Sequence, residues 1–574
     1  MNLVDDVDQI SSKGKRPHVA FHVPGHALAP TVVAAPRNAS SRQKTERLLS
    51  RKTEAQGRRG RSTYQEPAAT RVKRHRANHP DPSPVEFSDD DNFSSLTNPL
   101  VTTPSMYITD LRGRKRFLGP SSIWAYSRHV MSMIGQYMDQ DGSVQVPLNI
   151  DGGAHAIEFP STKQPEPLCS MESLPSLDHA LYLINTVKFH VCQTYHLFEE
   201  QTFMQRLYTL YKEGPRLEAK NRLWFVQYFL IMAIGKALLA RGVSTTNSPG
   251  NDYFVQAMNL FPDVYCLYQD PILSVEVCCG LAVYLQSVDH RNSAYVYLGI
   301  GLQIALTQGY HRDLVGNQDT NTDVSRYRSV WWTLYILDRK FSSLIGAPSS
   351  VHDSDISVPL PKPHPSTQKS CALDMHVRLS RLLAKVLGTV YCIDGKLNSS
   401  FLKNIQATVR ELAGLATELN ASSELKLGGS EPISRISATL NLCYHQDKPD
   451  RALIHPVKAL LKTSCESAHK SLHILTTLQS QDLLECFLPF DLDHAFSAGF
   501  VLSLISAINP ASKAIDDCYV ETTFSLLDTL IAGGNVPARF RRQELSCLRD
   551  MLGRVSGDAI HLNADQTELL PADA

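Results

Sequence analysis

The chain has 574 residues, 43% of them hydrophobic, and its 57 lysines and arginines balance 57 aspartates and glutamates. That length suits one or several large cores, while 12 scattered cysteines with no CxxC pair exclude a disulfide scaffold and point to a reducing compartment. The opening MNLVDDVDQI is acidic and has no basic segment leading into an apolar one, so no secretory signal is expected.

The balanced charge is unevenly placed. Residues 42–76 carry twelve basic and three acidic side chains, a net +9, which leaves −9 on the remainder. Residues 1–105 hold ten prolines, no Trp, no Cys and only 19 Leu, Ile, Val and Phe, below the roughly 20% with which a charged chain buries a core. They read as a disordered arm. Within it, Arg58, Arg59 and Arg61 form one basic cluster, and Arg71, Lys73, Arg74 and Arg76 another. Such clusters suit nuclear import or contact with DNA phosphates, the latter being sequence-independent because it works by counterion release. A solvated tail is the remaining reading. An acidic segment at 86–91, flanked by Phe87 and Phe93, suits either a weak partner-binding motif or a solvated linker.

From residue 106 Trp, Tyr and long apolar runs appear, and strand-like alternation is scarce. The expected fold class is all-α, a multi-helix body over 106–560 with a disordered tail at 561–574. Helices are expected at 181–212, 223–241, 293–308, 325–345, 376–394, 401–420, 457–479, 493–508 and 519–531. The Gly-, Pro- and Ser-rich stretches 142–170, 243–252, 350–370 and 421–433 read as loops. Leu223–Ala240 is 18 residues long, but Gln227 and Lys236 interrupt it, so a buried core helix is preferred over a membrane span. In 293–308, Gly299 and Gly301 each cost about 1 kcal/mol relative to Ala, which close helix contact would offset, and Gly309 ends the segment. In 325–345 the apolar residues Tyr327, Val330, Trp331, Leu334, Leu337, Phe341, Leu344 and Ile345 recur every three or four positions. Asp323 or Ser325 is the expected cap, and Gly346 then Pro348 the stop.

Enzyme signatures are lacking. The sequence has no GxxxxGK[ST] loop, GxSxG elbow or HExxH pair. His311-Arg312-Asp313-Leu314 imitates a kinase catalytic loop, but Gln318 stands where that loop needs Asn to hold a metal ion. His18, His22 and His26 recur at four-residue spacing, yet Pro17, Pro24 and Gly25 break any helix that would align them. No enzymatic activity and no fixed-period repeat is expected.

Three stretches together resemble the fungal-specific transcription factor domain, the regulatory middle region of fungal binuclear zinc-cluster transcription factors. They are AYVYLGIGLQIALTQGYHRD at 294–313, YRSVWWTLYILDRKFSSLIGAPSSVHDSDISVPLP at 327–361, and RFLGPSSIWAYSR at 116–128. The resemblance spans roughly 112–510 and is strongest at 290–361. It implies an all-helical regulatory body in which Trp331, Trp332, Asp338, Arg339, Gly346, Pro348, Asp353 and Asp355 serve mainly the structure. It also implies a nuclear regulator of RNA polymerase II transcription. The implied partners are DNA, met directly or through another transcription factor, and the transcription machinery, with a homo- or heterodimer in view and no membrane. The departure lies in the cofactor. Zinc belongs to the family, held by six closely spaced cysteines, but the first cysteine here is Cys169. No zinc ligand is carried over: either the module has been lost, which suggests a co-regulator, or the sequence is an incomplete gene product. An all-helical ligand-sensing or scaffold protein without DNA contact is the alternative.

Overall fold

The computed structural model describes residues 106–109, 115–119, 121–138, 154–155, 157, 174–214, 221–242, 248–313, 321–361, 368–391, 399–421, 434–446, 456–508 and 513–567. The basic clusters, the acidic segment and the rest of the expected arm lie outside them. One antiparallel hairpin, β1 (Met106–Thr109) and β2 (Lys115–Leu118), pairs Met106 with Leu118. Everything else that is regular among the described residues is helical, so the all-α reading holds for the body, with this short hairpin as an addition.

In chain order the helices are α1 (Ile123–Tyr137), α2 (Leu177–His190), α3 (Glu200–Glu213), α4 (Arg222–Leu239), α5 (Asn251–Leu260), α6 (Val264–Leu267), α7 (Pro271–Ser287) and α8 (Arg291–Thr307). They continue with α9 (Asn321–Ile345), α10 (Gln368–Val390), α11 (Ser399–Ala421), α12 (Arg435–Gln446), α13 (Pro456–Ser480), α14 (Phe490–Ile508), α15 (Lys513–Ala532) and α16 (Val536–Thr567). One large apolar core gathers α2, α4, α7, α8 and α9. A second joins α1 to α13, α14, α15 and α16, and a small third one lies among α10, α11 and α12.

The centre of the first core is built from α4 and α7, which are buried nearly all round. Of the apolar window in α4, 83% is buried within the protein, so this helix, long and apolar enough to cross a bilayer, serves as core. Helix α7 was not anticipated. Every residue from Leu273 to Ser287 is buried, so no polar stripe marks a helical period. Its start does carry a signal: Pro271 fills the first turn, and Asp270 accepts a hydrogen bond from the Leu273 N–H at 3.3 Å.

Other boundaries also moved. The expected helix 181–212 is two helices, because Glu199 caps a fresh start by accepting from the N–H groups of Gln201 and Thr202 at 3.1 and 2.6 Å. Helix α9 begins at Asn321, which puts Asp323 and Ser325 inside it rather than at its cap. Its end is as expected, with Gly346 at φ +73°, and Gly309 ends α8 at φ +74°. Helix α16 runs on to Thr567, into the stretch expected to be a tail, since neither Gly nor Pro interrupts residues 558–567.

Two contacts tie the ends of this body together. The Trp124 ring of α1 lies 3.4 Å from the Arg541 guanidinium of α16 and 4.2 Å from that of Arg291 in α8. Just before α1, the Gly119 N–H donates to the Ile345 carbonyl at 3.2 Å, and the two backbones approach so closely that a Cβ on Gly119 would lie 1.8 Å from the Gly346 oxygen.

The two glycines of α8 behave differently. A Cβ at Gly301 would lie 3.0 Å from the Cys278 Cβ of α7, so that glycine permits close helix contact, whereas nothing lies within 4 Å of a Cβ at Gly299. In α4, a Cβ at Gly235 would sit 2.8 Å from the Leu183 carbonyl of α2. Gly299→Ala is therefore expected to stabilise the protein by up to about 1 kcal/mol through helix propensity. Gly235→Ala should destabilise it by about 1–3 kcal/mol through forced separation of α2 and α4. Thermal unfolding of the two variants reads the opposite signs.

Candidate functional site

The expected motif residues of α9 come together with the loop that follows them. Trp331 and Trp332 are fully buried in the first core. The Trp332 indole N–H donates to the Pro359 carbonyl at 3.2 Å, and the Trp331 ring lies 5.8 Å from that of His311. Asp338 and Arg339 are buried charges that meet at 2.6 Å. Asp338 accepts from the Ser350 hydroxyl at 2.6 Å and the Ser350 N–H at 3.2 Å. Arg339 Nη2 donates to the Val351 carbonyl at 2.6 Å and to Asp353 at 2.9 Å, and the Tyr335 hydroxyl donates to the same Asp353 oxygen at 2.8 Å.

These bonds form a latch. The chain turns back at Gly346, Pro348 follows, and the side chains of α9 hold residues 350–353 against the helix. Asp355 belongs to the short 3-10 turn Asp353–Asp355 and is exposed, apart from the latch. Beyond it, the Ser357 and Val358 N–H groups donate to the His311 carbonyl at 3.0 and 3.2 Å. The kinase-like His311-Arg312-Asp313 run is thus a helix-end turn pinned to the latch loop, which brings together the two strongest stretches of the resemblance.

A second polar centre was not foreseen. Glu276, buried in α7, accepts two hydrogen bonds from Arg326 of α9, both at 2.8 Å, and one from Gln227 of α4 at 3.0 Å. His196, in the connection before α3, lies 3.0 Å from the same carboxylate. Burial alone would raise the Glu276 pKa, but the hydrogen bonds from His196 and Arg326 outweigh it and hold it below the ordinary value. The signal available in the sequence was a single carboxylate in the otherwise apolar run 271–285.

A third polar group lies where α9, α10 and α14 meet. Lys340, His376, Asp493 and His494 border a void of about 40 Å³. Burial, helped by the Lys340 charge, pushes the pKa of both His376 and His494 down to about 3. Burial raises that of Asp493 to about 6, against the pull of Arg541, Lys340 and Arg291.

A larger opening adjoins the latch. It is a groove of about 940 Å³ between α10, α11 and the loop 346–353. Among the described residues no group of three or more His, Cys, Asp or Glu side chains is arranged to hold a metal ion. Residues 1–168 contain no cysteine. Arg58, Arg59, Arg61, Arg71, Lys73, Arg74 and Arg76 lie outside the described residues.

The described body is thus helical, with an Asp-Arg latch at the end of a paired-Trp helix. Residues 182–415 match the model of the fungal specific transcription factor domain. The match includes the whole of 290–361 but is narrower than the expected 112–510. Among similar proteins, an uncharacterized transcriptional regulatory protein of Schizosaccharomyces pombe is 26% identical over 396 residues, which cover 64% of this chain and 49% of the relative. The thiamine repressible genes regulatory protein thi1 of the same yeast is 21% identical, over 58% of this chain and 45% of its own length. Activator of stress genes 1 of Saccharomyces cerevisiae is 23% identical, over 33% of this chain and 20% of its own. The chain thus spans about half or less of the length of these relatives.

Two stability predictions follow from the buried charges. Glu276→Leu strands the Arg326 guanidinium without its acceptor, leaves Gln227 only the Leu197 carbonyl, and should cost about 3–5 kcal/mol, measured by chemical denaturation. The histidines bear on pH. Between about 6.5 and about 3 the unfolded chain takes up protons at positions 376 and 494 that the folded chain refuses. Their contribution is present above the ordinary histidine pKa and is lost as pH falls through that window. The double variant His376→Gln, His494→Gln should therefore lose less stability on acidification than the wild type, read from denaturation midpoints at pH 7 and pH 5.

Proposed function

We propose that this chain is a nuclear regulator of RNA polymerase II transcription whose helical body is its regulatory domain. The observation that carries this reading is the match of residues 182–415 to the fungal specific transcription factor domain, in which the most specific stretch of the sequence folds as one latched unit. The names of the similar proteins, a transcriptional regulatory protein and an activator of stress genes among them, support the same reading and favour regulation over enzymatic activity. The basic clusters at 58–61 and 71–76 support nuclear import. One route to DNA is through a partner transcription factor, with the chain as co-regulator. Direct contact through the basic clusters is the second route.

The test is a tagged chain expressed in its native strain, with fluorescence imaging, chromatin immunoprecipitation and transcript profiling of a deletion strain. Nuclear accumulation, discrete promoter occupancy and altered transcript levels are expected. Replacing Arg58, Arg59, Arg61, Arg71, Lys73, Arg74 and Arg76 by Gln should disperse the protein into the cytoplasm. Exclusion of the wild-type chain from the nucleus together with an unchanged transcript profile would sink the proposal. If the basic clusters bind DNA themselves, affinity should fall steeply with salt and show little sequence preference.

A further inference from the structure

The groove beside the latch has the features of a binding site. Its two long walls are α10 and α11, and two ion pairs span them like rungs. Arg378 donates to Glu418 through two bonds at 2.5 and 2.8 Å, and Lys385 donates to Glu411 at 2.6 Å. Each of those cations is thereby neutralised. Between them, one helical turn along α10, stands Arg381. Among the described residues it has no hydrogen-bond or ion-pair partner, and its Nε is buried without an acceptor. Its guanidinium is 5.4 Å from the Trp332 ring centroid, which places the charge beside the motif helix. A half-buried guanidinium whose Nε is buried without an acceptor is a costly arrangement that an incoming anion would relieve.

Leu382 and Leu415, largely buried in the third core, line the groove together with Leu387 and Tyr391. Two mid-helix glycines, Gly388 and Gly414, also border it, and a Cβ on either would meet nothing within 4 Å. A glycine inside a helix costs about 1 kcal/mol relative to Ala, and here no close contact compensates for it. What the two glycines do is leave the groove wide. Its volume of about 940 Å³ falls within the range of roughly 300–1,000 Å³ usual for small-molecule sites.

We propose that this groove binds a small amphipathic organic anion, with the anionic head on Arg381 and the apolar body along Leu382 and Leu415. Carboxylate and phosphate heads share the required chemistry. The proposal does not depend on the regulatory role, because binding is read on the purified protein alone.

The experiment is isothermal titration calorimetry of the purified full chain with decanoate, decyl phosphate and decyltrimethylammonium. Saturable binding of at least one of the two anions is expected, and the tighter of them identifies the head group. The cation should not bind at that site. Arg381→Gln should weaken anion binding by about tenfold or more, the scale of a charge-assisted hydrogen bond, and Arg381→Lys should weaken it less. Gly388→Leu combined with Gly414→Phe should abolish binding by filling the groove while circular dichroism and the melting temperature stay close to wild type. This second variant separates loss of the site from loss of the fold. The proposal fails if neither anion binds saturably at millimolar concentration, if Arg381→Gln binds as tightly as wild type, if the filled groove binds unchanged, or if the cation binds equally well.

Discussion

The fold depends on one buried carboxylate. Glu276 sits in the middle of the most enclosed helix of the first core, where an isolated charge would be prohibitive. It is tolerated because three separate parts of the chain converge on it: α4 through Gln227, the connection before α3 through His196, and α9 through Arg326. The geometry leaves little freedom. Arg326 must arrive with its fork in the plane of the carboxylate, and His196 is held in place by its own N–H, which donates to the Thr333 hydroxyl at 2.8 Å. Apolar packing would accept several registers of α9 against α7. The Glu276 pairing accepts one, and that register decides where Trp331, Trp332, Asp338 and Arg339 stand farther along the same helix.

The latch is the downstream result of that register. Asp338 and Arg339 occupy adjacent positions and reach the loop 350–353 from one helical turn of α9, so the loop's path is set by hydrogen bonds to a rigid element rather than by its own composition. The same loop forms one side of the groove, and its continuation at Ser357 and Val358 meets the His311 turn. Core, latch and groove are therefore successive layers on one helix, and the latched residues of α9 are the visible end of a constraint that begins at Arg326 and Glu276.

Much of this was legible in the sequence, and the misses share a cause. Helix α9 could be read because its apolar residues fall on one side, and its end could be read because Gly346 and Pro348 are local signals. The same holds for α8 and Gly309. Helix α7 could not be read by periodicity, because a helix buried on every face has no polar side to set the period. The division of 181–212 was hidden because Glu199, a carboxylate in the N-cap role more often held by Ser, Thr, Asp or Asn, gives no strong start signal. Trp331, Trp332, Asp338 and Arg339 were identified by their order along the chain, whereas Glu276 and Arg381 matter through what surrounds them in space: a convergence of partners for one, the lack of a partner for the other. Neither condition leaves a mark in a linear pattern.

The close approach of Gly119 to Gly346 has a mechanical meaning. The first residues of the helical body do not enter it at a remote corner. They are clamped, backbone to backbone, to the point where α9 ends and the latch loop begins, and two residues later Ser121 already borders the groove. Tension applied through the N-terminal segment is delivered to this pivot before it can reach the cores, and a rearrangement of the loop is felt first by the same segment. The body thus has one handle, and both of its fingers are glycine.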